Sequence, residues 1–116
     1  MRNFVTQQEF EEYWFGRAGL EKPAGYRASD KAFFVYFTAT WCGPCKRLDL
    51  DKIEAAAKAV GIPLWKCEQT ENDYTAGYCD VRSLPTFLLL QPKTIVGRLS
   101  SSSTDTIVDW MKGFKK

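Results

Sequence analysis

The sequence predicts an α/β fold: a central mixed sheet flanked by helices on both faces, in one domain. Three observations carry this. Strand-type and helix-type runs alternate along the chain, the signature of a sheet whose strands are joined by covering helices. Residues 32–38 form an unbroken aromatic and β-branched run, the pattern of a strand buried on both faces. Two further strand-type runs, 86–90 and 94–99, are separated only by Gln91-Pro92-Lys93, so a hairpin adds an antiparallel edge to a mainly parallel sheet.

The elements follow in order. A short strand is expected at Phe4-Val5. Thr6-Gln7-Gln8-Glu9 is a capping box, and Phe10, Tyr13 and Trp14 follow at helical spacing, which predicts a helix over 7–15. Residues 16–30 hold Gly16, Gly19, Pro23 and Gly25 and read as a loop, long for a small domain. After the strand at 32–38, residues 46–60 are rich in helix formers and end at Gly61, a residue suited to a helix C-terminus. A strand over 63–67 opens with Pro63, which need not donate to a ladder. A short helix covers 72–78. The serines at 100–103 form a loop whose end caps a last helix over 104–114, which buries Ile107, Val108, Trp110 and Met111. A single domain is expected over 1–116, with 16–30 as a loop insertion.

Composition narrows the function classes. The chain has 116 residues, 45% hydrophobic and 15% aromatic, enough for one packed core and unlike a disordered segment. Sixteen basic against fourteen acidic residues leave a net charge of +2, which gives no argument for nucleic acid or for an anionic membrane. Lys112, Lys115 and Lys116 are the one basic cluster, and they suit the negative end of a last helix. No stretch is long and apolar enough to span a bilayer, and the first residues lack the apolar segment of a secretion signal. A cytoplasmic location is therefore expected. Reducing conditions there make four cysteines catalytic, metal-binding or simply buried rather than structural disulfides.

The chemistry concentrates in Trp41-Cys42-Gly43-Pro44-Cys45, directly after the buried strand. A spacing of three puts both sulfurs within reach of one disulfide. If the pair opens a helix, Cys42 meets unpaired backbone N–H groups and the positive end of the dipole, with Lys46 one turn on. Both favour the thiolate, the form that attacks disulfides. The same spacing also suits half of a metal-binding knuckle or a buried structural pair.

Trp41-Cys42-Gly43-Pro44-Cys45-Lys46, Leu84-Pro85-Thr86 further on, and the order of strands and helices together resemble the thioredoxin family from about residue 32 onward. The resemblance implies the thioredoxin fold and a protein-disulfide reductase with no bound cofactor and no metal. It implies disulfide-containing protein substrates, a thioredoxin-reductase-type electron donor and a monomer. Cys42 is then the exposed nucleophile and Cys45 the deeper thiol that resolves the mixed disulfide. Leu84-Pro85 is implied to be a cis peptide against the Cys pair, with the Leu84 backbone pairing an extended substrate segment. Trp41, Gly43, Pro44 and Leu84 form an apolar rim. Related oxidases and isomerases usually carry a histidine between the cysteines. This chain has Gly43-Pro44 there and no histidine anywhere, which argues for net reduction. A binding subunit on the same scaffold, or an oxidase or isomerase, are the alternative functions.

The chain departs from the family in places. A buried aspartate in the strand before the motif is replaced by Tyr36, while its lysine neighbour is kept as Lys66. Tyr36, Lys66 and a water are expected to replace the carboxylate in moving a proton to and from Cys45. The alternative is that Tyr36 simply fills core. Leu50 stands where a kinking proline is usual, so a straighter helix is expected. Thr38 replaces a tryptophan, and the serines at 100–103 replace a glycine loop. Cys67 is expected to be buried and Cys79 exposed, the latter open to a regulatory or intermolecular disulfide. A four-cysteine zinc site is the metal alternative.

Overall fold

The aromatic run at 32–38 becomes the central strand of a five-stranded sheet. In a computed structural model, residues 2–15, 32–91 and 94–114 are described. The elements are β1 (Arg2–Asn3), α1 (Gln7–Phe15), β2 (Phe33–Thr38), a 3-10 turn (Pro44–Arg47), α2 (Leu50–Val60), β3 (Leu64–Glu68), α3 (Asp73–Tyr78), β4 (Thr86–Gln91), β5 (Thr94–Ser100) and α4 (Thr104–Lys112). The strand order is β1-β3-β2-β4-β5. Pairing is parallel for β1 with β3 and for β3 with β2, and antiparallel for β2 with β4 and β4 with β5. The sheet is thus evenly mixed rather than mainly parallel. The expected loop at 16–30 lies outside the described residues, as do Pro92 and Lys93 of the hairpin turn.

All six residues of β2 are buried, as a strand covered on both faces requires. Its side chains alternate between two cores. Phe34 and Tyr36 join Ile53, Ala57, Ile107 and Met111 under α2 and α4. Phe33, Val35 and Phe37 join Phe10, Trp14, Trp65 and Ala76 under α1 and α3. Fully burying one such aromatic side chain contributes about 1.5–3 kcal/mol, so these two layers dominate the stability.

The caps read from sequence are present. Glu9 N–H donates to Thr6 Oγ1 at 3.1 Å and Thr6 N–H to Glu9 Oε1 at 3.2 Å, the reciprocal pair of a capping box. Ser103 Oγ accepts from Thr106 N–H at 3.3 Å at the start of α4. Gly61 ends α2 with φ of 76°, a left-handed conformation that glycine adopts without penalty.

Two further expectations need correction. The first strand is Arg2–Asn3, not Phe4-Val5. Phe4 follows the strand, its N–H still donating to Lys66 O at 2.8 Å and its ring stacked on Trp65 with centroids 4.3 Å apart. The second concerns 46–60, which does not form one straight helix. The 3-10 turn stops at Arg47, Leu48 is extended (φ −76°, ψ 138°), and α2 starts at Leu50. Asp49 causes the restart. Its carboxylate accepts from Lys52 N–H at 3.2 Å, and its own N–H donates to Thr104 Oγ1 at 3.0 Å. Capping chemistry outweighs the helix propensity of the surrounding residues.

Candidate active site

The Cys pair sits where β2 runs out at its C-terminal end, the end at which open α/β sheets place their ligands. Cys42 N–H donates to Ala39 O at 3.1 Å, turning the chain. Pro44 opens the 3-10 turn, where its missing N–H leaves no gap. That turn brings Cys45 back under Cys42. Their Cα atoms are 5.3 Å apart, and the two sulfurs are bonded to each other. Cys45 N–H donates to Cys42 Sγ at 3.2 Å.

The break at Leu48 changes the electrostatics expected of this pair. Cys42 does not cap the long helix, because only one 3-10 turn follows it directly. The local donor aimed at Cys42 Sγ is instead the Cys45 N–H. Exposure also differs from expectation. Cys42 is 3% exposed and Cys45 5%, so in the disulfide neither sulfur-bearing residue is open. The bond holds Cys42 against the cluster that contains Ala39, Cys45 and Leu48. Trp41, by contrast, is 67% exposed, and Gly43 and Pro44 are exposed beside it.

Leu84-Pro85 is a cis peptide. Pro85 is buried, and Leu84 is half-buried, packed against both cores. A groove of about 440 Å³ lies between Pro44 and this pair, walled by Ser83, Ser100, Ser101 and Ser102. Thr86 fixes the loop from below. Its hydroxyl donates to Ser83 O at 2.7 Å, so the 2.7 Å contact with Ser100 Oγ has Ser100 as donor. Ser83 Oγ in turn donates to Ser100 Oγ at 3.3 Å. The serines that replace a glycine loop therefore form a hydroxyl wall of the groove.

On its other side Cys45 opens onto a cleft of about 370 Å³, which Tyr36, Thr38, Lys46, Lys66 and Glu68 also line. Tyr36 is 2% exposed and its ring stacks on Phe87, centroids 4.7 Å apart. Burial pushes its phenol above the ordinary tyrosine value. The bond to Thr38 opposes this, and the charge of Glu68 adds to it. The hydroxyl donates to Thr38 Oγ1 at 3.1 Å, rather than bonding the Lys66 amine. Lys66 is half-buried at the position of β3 paired with Tyr36.

Thr38 and Glu68 belong to this cleft, and neither was singled out for it by sequence reasoning. A usable signal existed. Glu68 is the last residue of β3, and β3 pairs with β2, which feeds the motif. A carboxylate ending the neighbouring strand arrives at the same edge.

The remaining cysteines lie on the opposite face of the sheet. Cys67 and Cys79 are both free and both buried, so the exposed Cys79 expected from sequence is corrected. Cys79 closes α3, and its carbonyl accepts from Arg98 Nη2 at 2.7 Å, which holds the residue inward. Burial pushes each thiol up to about 12. Cys42 and Cys45 belong to one core cluster and Cys67 and Cys79 to the other, so the four sulfurs do not converge on a zinc position. Among the described residues, no group of three or more His, Cys, Asp or Glu is placed to hold a metal ion.

Comparison with known proteins places these features in a family context. The family model for thioredoxin matches residues 24–113. A thioredoxin of Geodia cydonium is 38% identical over 60 residues, which cover 52% of this chain and 57% of that protein. A chloroplastic M-type thioredoxin of Brassica napus is 33% identical over 86 residues, 70% of this chain and 49% of that protein. The match thus spans only about half the length of these curated relatives. Among solved structures, a Fasciola hepatica thioredoxin superposes with a TM-score of 0.77 at 24% identity, covering 99% of this chain and 100% of that one. A Plasmodium falciparum thioredoxin gives a TM-score of 0.77 at 19% identity, with 98% and 99% covered. Both share the fold.

Proposed function

The chain belongs to the thioredoxin family, and from that premise we propose that it reduces protein disulfides by dithiol–disulfide exchange at Cys42 and Cys45. One observation carries the reading: the two sulfurs are already bonded, in a turn whose Cys45 N–H points at Cys42 Sγ.

In the reduced protein, the Cys42 thiolate attacks one sulfur of a substrate disulfide. The substrate bond breaks, its other sulfur leaves as a thiolate that takes up a proton, and a mixed disulfide joins Cys42 to the substrate. Cys45 then gives up its proton and attacks Cys42 Sγ. The second substrate sulfur leaves, the Cys42–Cys45 disulfide forms, and two electrons have passed to the substrate. A separate thioredoxin-reductase-type donor returns the pair to the dithiol.

The surroundings suit this sequence. Trp41, Gly43 and Pro44 present an exposed apolar rim beside the pair. Leu84, Pro85 and Pro44 edge a groove that suits an extended substrate segment approaching the pair. Tyr36 and Lys66 wall the cleft that serves Cys45. Gly43-Pro44 between the cysteines, with no histidine in the chain, supports net reduction over oxidation or isomerisation. The free thiols of Cys67 and Cys79 support a reducing compartment such as the cytoplasm, where the protein works as a monomer.

Reduction of a disulfide-bonded protein by wild type and by Cys42→Ser tests the reading. Wild type should reduce it and the variant should not. Equal rates for both would remove Cys42 from the chemistry.

A further inference from the structure

Cys45 must lose a proton before it can resolve the mixed disulfide, and it is 5% exposed. Direct access to bulk water is therefore poor, and the proton leaves through the cleft onto which Cys45 opens. With a volume of about 370 Å³ this cleft has room for several water molecules.

Six polar side chains share that cleft with Cys45: Tyr36, Thr38, Thr40, Lys46, Lys66 and Glu68. Their chemistry separates them. A lysine ammonium has three donors and no acceptor, so Lys46 and Lys66 cannot take a proton. A threonine hydroxyl relays a proton but does not keep one. Tyr36 is held as the neutral phenol by burial and by the charge of Glu68, and its own proton is committed to Thr38. That leaves one anionic acceptor. The geometry points to Glu68 as the group that receives the Cys45 proton, through cleft water, when that thiol attacks the mixed disulfide.

The placement is specific. Thr38 and Glu68 are register partners at the ends of β2 and β3, so the carboxylate stands beside the Tyr36–Thr38 hydroxyl pair. Thr70 Oγ1 donates to Glu68 Oε1 at 3.0 Å and steadies the carboxylate. The charged and titratable groups around it are Tyr36 on β2, Lys46 on the 3-10 turn, Lys66 and Cys67 on β3, and Glu71 on the following turn. The step balances. The S–H bond of Cys45 breaks, Glu68 gains the proton, the Cys45–Cys42 bond forms, and the substrate sulfur departs with the electron pair of the bond it loses. Glu68 then returns its proton through the same water to that sulfur or to solvent.

This inference rests on the exchange reading above, and one experiment separates the two. Reduced protein is mixed with a disulfide-bonded protein substrate and quenched at intervals, and the mixed disulfide is followed by mass between pH 6 and pH 9. Wild type, Glu68→Gln, Glu68→Asp and, as a control on the neighbouring surface carboxylate, Glu71→Gln are compared. In wild type and Glu71→Gln the mixed disulfide should not accumulate. In Glu68→Gln it should accumulate at pH 7, with release slowed by about 10- to 100-fold and rising with pH as hydroxide takes over. Glu68→Asp should recover part of the rate. Release from Glu68→Gln with the wild-type rate and pH profile would overturn the assignment. Failure of wild type to form any mixed disulfide or product would overturn the exchange reading, and the assignment with it.

Discussion

The amide N–H of Cys45 donates to Cys42 Sγ at 3.2 Å. In the proposed exchange, the resolving residue thus also supplies a donor to the attacking sulfur, through its backbone. A hydrogen bond to the charged form favours ionisation, so this contact, kept in the reduced protein, would do locally what a long helix was expected to do by its dipole. The 3-10 turn makes the contact possible, and Pro44 sets that turn.

The four thiols should therefore divide sharply in reactivity. Cys67 and Cys79 are pushed up to about 12, burial being the main cause for both. At pH 8 a thiol with a value of 12 is ionised to about one part in ten thousand, since 8 − 12 = −4. Iodoacetamide added to the reduced native protein at pH 8 should label Cys42 first and leave Cys67 and Cys79 unlabelled until the protein unfolds. Peptide mapping checks it. The same shifts fix an alkaline instability. Both values are raised on folding from 9.0, so the folded state holds protons that the unfolded chain loses. The stability is complete below about pH 9 and declines as pH rises toward about 12, by at most about 1.4 kcal/mol per pH unit for each thiol. Urea midpoints should fall over that window, and less steeply in Cys79→Ala.

Asp49→Ala should destabilise the protein by about 1 kcal/mol, the usual cost of losing an N-cap side chain. The carboxylate holds the first turn of α2 through Lys52 N–H. The Asp49 N–H contact to Thr104 is backbone and survives the change. Denaturant melting should therefore show the loss, while the reductase rate under native conditions stays near wild type.

Thr86→Val should affect function as well as stability. Valine keeps the volume but loses the hydroxyl that donates to Ser83 O and accepts from Ser100. The net stability cost is about 1 kcal/mol, for hydrogen bonds exchanged against imperfect replacements. The loop carrying Leu84-Pro85 loses its tie to β5, so the groove wall is no longer held. The KM for a protein substrate should rise severalfold with less change in kcat. An unchanged KM would show that Leu84 and Pro85 are positioned without this tie.

Local features were legible in the sequence, and features set by strand register were not. The capping box at Thr6, the Cys pair and the doubly buried β2 each depend on residues adjacent in the chain, whereas the cis Leu84-Pro85 was implied only by the family resemblance. Glu68 shares a cleft with Cys45 only because β3 pairs with β2 in one register, which brings Thr38 and Glu68 opposite. The inward turn of Cys79 depends on Arg98, nineteen residues away. The break before α2 has a local cause that the helix-rich composition masks. Asp49 is a good N-cap, yet it lies inside a run of helix formers that suggests continuity. The Tyr36 hydroxyl chose Thr38, two residues along the same strand and on the same face, over the Lys66 amine.

The reduction potential of the Cys42–Cys45 couple tests the central claim most directly. Equilibration against a glutathione or reference-thiol buffer should give a value near the thioredoxin potential of about −270 mV, as a Gly-Pro spacer without histidine implies. A value near the about −180 mV of disulfide isomerases, or a pair that never titrates as a couple, would contradict a role as a disulfide reductase.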